Sequence, residues 1–489
     1  MKSRSPRQAP GGTHRPGRPG PHRAGARATP PGPPGAIPVP EAPLIQVHFH
    51  GIAAGGEGVG RDASGKTVFA PLSAPGDVGD VRVTRDQRQF AHGQLVRLEV
   101  AGPGRVTAPC PHYPAVALPG SQEPVSGGQC GGCQLQHLTR TAQLEAKRRV
   151  VQDSLARIGG LTELEVEPVR AGWDWNYRNK ADFVVGTQDG RPVVGYFASA
   201  SHDLVDIDLC PLLQSELNDL LESVRTHLAA NPRWAFDAES GRGDLRRVVA
   251  RVSSEGETLL TLVTARPRWE EAAVLARALR AEHPELAGVL QRGPREAPRV
   301  IAGQGYLVEH VAGLELRCSG DTFFQVNPEV TGPMVRTVTE LAELERGQSA
   351  LDLFCGVGLF ALALARAGGR VTGIESHPAA VADAIHNAGA NRLKAAFRAG
   401  DALGEVDRFA PGTFPVVVLD PPRAGAAGIA AKLARLAPNR LVYVACDPAT
   451  LARDARALQE LGFRAERAIP FDLFPQTAHV ETVVSFSRG

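Results

Sequence analysis

Two residues distant in the chain, Cys446 and Glu481, have the types that a covalent group transfer needs: a thiol that can attack carbon and a carboxylate that can take a proton. Cys446 lies in Ala445-Cys446-Asp447-Pro448, between the apolar run 441–445 and a helix-favouring stretch from 449. A helix beginning there is expected to lower the thiol's pKa toward the thiolate. Glu481 follows His479-Val480 at the opening of the last apolar run. Taken singly, each has a plainer reading, as a buried structural cysteine and as a solvated carboxylate at a strand end. A third segment changes the balance. Leu351-Asp352-Leu353-Phe354-Cys355-Gly356-Val357-Gly358-Leu359-Phe360 reads as a strand, a glycine turn and a helix start. Its glycines let the backbone approach a ligand, and the helix beyond offers free N–H donors.

The strand that follows ends in Glu375, 19 residues after Gly356, where a carboxylate can accept hydrogen bonds from both hydroxyls of a ribose. Phe360 and Ala361 stand where a dinucleotide fingerprint has its third glycine, so a nucleoside cofactor, S-adenosyl-L-methionine, fits better than NAD. A structural Rossmann turn or another nucleotide stays open on this pattern. Asp401, after a strand at 395–398, is placed for an adenine amino group, and Asp420-Pro421-Pro422-Arg423 reaches the same sheet edge as Cys446. Thiol, base and methyl donor together suit C5 of uracil. That carbon is a poor nucleophile until a thiolate adds at C6 and converts the ring to an enolate. After methyl transfer the C5 proton must leave, and β-elimination then releases the thiolate.

The elements that must position these groups follow from periodicity. Strands at 350–354, 370–375, 415–419 and 441–445 alternate with helices at 359–367, 378–390, 426–436 and 448–461. That alternation predicts an α/β fold with an open parallel, Rossmann-like sheet over 321–489. Upstream, strands at 44–50, 66–70, 78–84 and 94–100 separated by glycine turns predict a small β-barrel of the oligonucleotide-binding type over 43–103. Arg82, Arg85, Arg88 and Arg97 around Phe90 would give it a basic face for RNA, or simply a solvated one. Residues 104–320 read as a central α+β domain with a Cys-rich loop at 110–133 and a helix at 134–158. Residues 1–42, rich in Pro, Gly and Arg, read as a disordered basic tail.

Charge and composition bound the rest. Of the formal net charge of +2, the tail's seven basic residues and one acid account for +6, which leaves −4 on the other 447 residues. Affinity for RNA therefore cannot rest on net charge. An apolar fraction of 43% with 22% charged residues excludes a wholly disordered or fibrous chain. The longest near-apolar run, 353–365, falls short of the about 18 residues a membrane helix needs, and no apolar segment follows the basic start, so a cytoplasmic location without membrane contact is expected. Seven cysteines, an odd number without an export signal, point to metal-binding or catalytic thiols before disulfides.

The motifs resemble those of the RNA uridine-5 methyltransferases. Phe323-Phe324-Gln325-Val326-Asn327, the glycine turn, Asp420-Pro421-Pro422-Arg423-Ala424-Gly425, the Cys446 segment and Asp472-Leu473-Phe474-Pro475-Gln476-Thr477-Ala478-His479-Val480-Glu481-Thr482 occur in that family's order. The resemblance implies a class I methyltransferase domain over 321–489, with Cys446 as nucleophile, Glu481 as base, and Gln325, Phe354, Glu375 and Asp420 around the cofactor. Residues 44–103 resemble a TRAM domain, which implies RNA binding. Cys130-Gly131-Gly132-Cys133-Gln134-Leu135-Gln136-His137 resembles the iron–sulfur segment of the branch acting on 23S ribosomal RNA, and implies a 4Fe–4S cluster on Cys110, Cys130, Cys133 and Cys210. Tetrahedral zinc is the inorganic alternative. The insert 111–129 lengthens the first spacing and is expected to loop out. Trp173, Trp175, Tyr177, Arg178 and Lys180 are candidate RNA contacts or, equally, core aromatics with solvated charges. Expected partners are ribosomal RNA and, second, tRNA, with the protein a monomer. A catalytically inactive RNA-binding iron–sulfur protein, an amino-group methyltransferase and a cytosine-5 enzyme are the competing functions.

Overall fold

The computed structural model describes residues 43–117, 119, 126–127 and 130–488. The tail expected over 1–42 and part of the 111–129 insert lie outside these. Among the described residues no helix is long and apolar enough to cross a membrane, and the seven cysteines are free thiols.

Strands Leu44–Ile52, Gly58–Asp62, Thr67–Ala70, Val78–Asp86 and Phe90–Val100 close into a barrel. Alternation turns Val47, Phe49, Val68, Val81 and Leu95 inward. The strand Gly58–Asp62 is not among the expected ones, because its glycines hide the period. They serve close packing: a Cβ on Gly60 would stand 2.5 Å from Val47 and 2.6 Å from the His48 carbonyl.

The central domain is a seven-stranded sheet in the order Leu204–Asp206, Arg191–Phe197, Lys180–Gln188, Leu245–Val252, Thr258–Thr264, Leu286–Arg292, Arg299–Gly303. Helices Ser215–Ala230 and Ala272–Glu282 bury Leu217, Leu221, Leu275 and Leu279 against it. The C-terminal sheet has eight strands, ordered Ala395–Ala399, Arg370–Glu375, Ser349–Leu353, Val416–Leu419, Arg440–Ala445, Glu481–Arg488, Phe463–Asp472, Arg170–Ala171. The first five are parallel, as expected. Glu481–Arg488 instead runs antiparallel to both its neighbours. The link from Asp472 to Glu481 is too short for a crossover, so the chain must return antiparallel. That return carries the first residue of the last strand, Glu481, to the carboxyl edge of the parallel strands.

Packing also moves the expected boundary at 320/321. Helix Arg140–Arg157 sets Val151 and Leu155 into the C-terminal core beside Leu451 and Ala455. The hairpin Tyr306–Val311 and Leu314–Ser319 adds Leu314, Leu316 and Cys318 to that domain's other apolar cluster. Both ends of the 104–320 stretch therefore pack with the C-terminal domain, which periodicity cannot reveal because it gives a face and not its partner. The helix begins at Arg140, six residues later than expected, where Thr139 caps it through Ala142 N. The residues before it are held instead by Gln476, whose carbonyl accepts from Gln134 N at 3.1 Å and Leu135 N at 2.9 Å.

The same helix anchors the loop after Phe463–Asp472. Lys147 Nζ donates to Asp472 Oδ1 at 2.6 Å and to the Phe474 carbonyl at 2.9 Å. Arg140 pairs with Asp472 and, at 2.6 Å, with Asp174. The Asp472 side chain has no exposed surface, and Lys147 almost none. Removing one partner of such a pair leaves a buried charge uncompensated. Lys147→Met is expected to lower stability by about 3 kcal/mol, the low end of the usual range because Arg140 remains. Urea unfolding of variant and wild type checks this.

Candidate active site

Strand registers bring the loaded residues to one edge. Leu353 aligns with Ile374 and Leu419, Leu419 with Tyr443, and Ala445 with Thr482. Phe354, Glu375, Asp420, Cys446 and Glu481 each lie one step beyond these pairs. Phe354 takes a left-handed backbone at φ 63°, an uncommon conformation for a bulky residue. Gly356 follows at φ 54°, and a Cβ there would meet nothing within 4 Å, so the turn opens onto free space. Glu375 holds this turn: its Oε2 accepts from Gly356 N at 3.1 Å and its Oε1 from His377 N at 2.7 Å. Asp401 is exposed and caps the helix Ala402–Val406 by accepting from Gly404 N at 2.9 Å. Gln325 is buried before helix Pro328–Ala342, its carbonyl facing the Asn179 amide at 3.5 Å.

Sequence reasoning passed over Asp352. It is fully buried in the strand beneath the glycine turn, and neither carboxylate oxygen has a hydrogen-bond partner. Burial, with Asp420 and Glu375 nearby, holds its pKa well above the usual carboxylate range. Its signal was legible as an acid at a position that must face inward. An orphaned buried acid beside an open glycine turn fits a cofactor with a cationic group, and S-adenosyl-L-methionine carries both a sulfonium and an ammonium.

Burial raises Asp420 to about 7. Burial and Asp420 together push Glu481 well above the usual range. Half-buried Asp420 and buried Glu481 each disfavour the other's ionisation, because little water screens their charge. Cys446 departs from expectation. It is raised to about 11 by burial, then by Glu481 and Asp420. The helix Pro448–Glu460 does begin beside it, but Asp447 occupies the free donors, accepting from Ala449 N at 3.0 Å and Thr450 N at 2.9 Å. The cap brings its own negative charge, so the helix end does not favour a thiolate.

One cavity of about 490 Å³ is lined by Cys110, Cys130, Cys133 and Cys210 and also by Cys446 and His479. The four thiols and Cys446, read separately from sequence, line one cavity. Burial pushes Cys133 up to about 12 and Cys210 to about 11, and other cysteines of the set add to both. Among the described residues no three His, Cys, Asp or Glu side chains gather tightly enough to hold a metal ion. The thiols surround a volume and not a point.

Comparison with known proteins bears on the family and not on the thiols. The family model tRNA (Uracil-5-)-methyltransferase matches residues 139–397 and 404–489, and that of the TRAM domain matches 45–96. The chain belongs to this methyltransferase family. An uncharacterized RNA methyltransferase of Bacillus cereus is 33% identical over 92% of this chain and 98% of its own length. Another from Gloeobacter violaceus is 34% identical over 91% and 96%. Among solved structures, the Pyrococcus abyssi tRNA (uracil-54, C5)-methyltransferase in complex with S-adenosyl-L-homocysteine superposes with a TM-score of 0.69 at 26% identity, covering 90% of this chain and 100% of that one. The family match begins at 139, where the fold attaches the helix to the C-terminal core, and omits 398–403, the segment holding Asp401.

Within this methyltransferase the expected RNA contacts divide. Tyr177 is fully buried and donates to the Pro475 carbonyl at 3.0 Å, so it belongs to the core. Trp173 is 59% exposed and Arg178 lines the thiol cavity. Burial first, then Arg251, lowers Lys180 to about 8.

The raised carboxylates carry a stability signature. An acid whose folded pKa is raised is unstrained below its unfolded value and costs stability as pH climbs above that value. Glu481→Gln is therefore expected to melt at a higher temperature than wild type at pH 8, with the gap closing as pH falls toward 4.5. Thermal melts across that window check it, and a gap independent of pH contradicts the assignment.

Proposed function

We propose that this chain is a cytoplasmic, monomeric enzyme that methylates C5 of uridine in RNA, most favourably 23S ribosomal RNA. Its methyl donor is S-adenosyl-L-methionine, and Cys110, Cys130, Cys133 and Cys210 hold a 4Fe–4S cluster. The observation that carries the reaction is the meeting of Cys446 and Glu481, 35 residues apart in sequence, on adjoining strands beside the glycine turn. Asp352, with Gln325, Phe354, Glu375, Asp401 and Asp420, would hold the cofactor. When bound, that cofactor supplies an electrophilic methyl group and a positive charge.

A positive charge held near Asp420 and Glu481 would offset what keeps the Cys446 thiol protonated. Cys446 Sγ, once its proton has passed to solvent, bonds to C6 of the uracil, and the displaced electron pair makes C5 nucleophilic. With C5 methylated, the ionised Glu481 carboxylate takes the C5 proton. The electrons left behind restore the C5–C6 double bond and expel the thiolate. Paired uridine is out of reach of Cys446, so the target must come unstacked into the crevice.

The Cys130–His137 segment supports the ribosomal substrate through its resemblance. A tRNA substrate is the second reading, supported by the Pyrococcus abyssi neighbour, whose substrate is tRNA. Labelled-methyl transfer to unmodified tRNA and ribosomal RNA transcripts separates the two. Cys446→Ala is expected to lose transfer to both. Glu481→Gln is expected to slow turnover by about 10²–10⁴ and to accumulate RNA bound covalently to Cys446, seen as a slower band in denaturing gels. If wild type methylates neither RNA, or Cys446→Ala stays active, the mechanism fails.

Four thiols around one cavity support the cluster, which suits a volume with ligands on several sides. Protein purified without oxygen is expected to carry iron and acid-labile sulfide in equal amounts. Zinc without sulfide would replace the cluster by the inorganic alternative.

A further inference from the structure

We propose that the seam between the β-barrel and helix Arg140–Arg157 is a second RNA surface, one that grips the sugar–phosphate backbone away from the reacting base. This rests on the RNA substrate proposed above. A cavity of about 610 Å³ lies along that seam, lined by His50, Arg61 and Phe69 of the barrel and by Arg149, Asp153 and Arg157 of the helix. Neither element makes the groove alone. Its three arginines and His50 are all exposed. Among the described residues Arg61 and Arg149 enter no salt bridge, and the one lining carboxylate, Asp153, is engaged by Arg157 at 3.5 Å. Guanidinium groups match phosphate oxygens in pairs. Phe69, stacked on His92 at 5.2 Å, adds an aromatic surface on which a base can rest.

Of the basic face expected from sequence, Arg97 binds Asp80 at 2.7 Å and Glu99 at 3.0 Å, so its charge is already matched within the barrel, whereas Arg82, Arg85 and Arg88 enter no salt bridge among the described residues but have no facing helix to form a groove with. On a body of net charge −4, RNA needs an unmatched local excess of cations. The seam supplies one. Arg140 sits in the Asp472 clasp near the chemistry, and Arg149 and Arg157 follow roughly 14 and 26 Å along the helix at 1.5 Å per residue. Contacts there hold substrate without touching the reacting atoms.

The experiment measures binding of unmethylated tRNA and ribosomal RNA transcripts across salt concentrations, together with methyl-transfer KM and kcat, for four proteins. Arg61→Gln/Arg149→Gln is expected to weaken binding about tenfold, to flatten the slope of log Kd against log [salt] by about 2, and to raise KM with kcat unchanged. Asp153→Asn is expected to bind more tightly than wild type, a gain that misfolding cannot produce. Arg97→Gln is expected to behave as wild type. If Arg61→Gln/Arg149→Gln keeps the wild-type slope, or Arg97→Gln flattens it instead, the seam is not the surface, while methylation by wild type leaves the substrate reading intact. If wild type methylates and binds neither RNA, that reading falls and the seam proposal with it.

Discussion

A buried carboxylate, Asp472, organises the reactive half of the molecule. It ends the strand Phe463–Asp472 with no exposed surface, and its charge is tolerable only because Lys147 and Arg140 reach it from a helix more than 300 residues earlier. The loop that follows is then held on every side. Tyr177 donates to Pro475, Gln143 and Gln476 bond reciprocally at 2.8 and 3.1 Å, and Gln134 accepts from Ala478 N at 3.2 Å. These partners come from the helix, the central domain and the cysteine-bearing segment, so one loop joins three parts of the chain. At its end stands Glu481. The position of the base is thus set by charge pairing at Asp472 as much as by the sheet it enters.

Around the glycine turn the dominant fact is a gathering of acids that resist ionisation. Asp352 and Glu481 are buried and Asp420 is half-buried, and the pKa of each is raised first by loss of water around it. The thiol of Cys446 is raised in turn by the last two. Such a cluster disfavours its own ionisation and favours any cation that enters. A methyl donor that is a sulfonium answers that need, and a neutral or anionic cofactor would not. On the proposed mechanism, binding the donor and readying Cys446 would be one electrostatic event.

Much of this was legible in sequence where a side chain's role follows from local pattern. The parallel strands and the glycine turn were legible from spacing and residue type, and the arrival of Cys446 at their edge followed from the strand before it, whereas the roles of Cys446 and Glu481 were drawn from the family resemblance. Legibility ended where the outcome depended on what a residue meets. Asp447 carried no expected role, yet as a cap it brings its own negative charge to the helix end expected to activate Cys446. Arg97 read as a free cation, yet it faces Asp80 and Glu99 across and along the barrel strands. Gln476 takes φ 70°, which no residue preference signals and which its bonds to Gln143 and the Gln134–Leu135 amides impose. The antiparallel return of the last strand required counting the link from Asp472, since periodicity alone does not give direction.

Charge ends up sorted by depth. The interior of the C-terminal domain gathers acids, and two exposed arginines of the barrel seam, Arg61 and Arg149, enter no salt bridge among the described residues. Acids that hold their protons present little charge to an approaching polyanion, so the crevice itself does not repel one. A cation lodged beside Asp420 and Glu481 would favour their ionised forms, and the same raised acids that resist ionisation alone would then balance it.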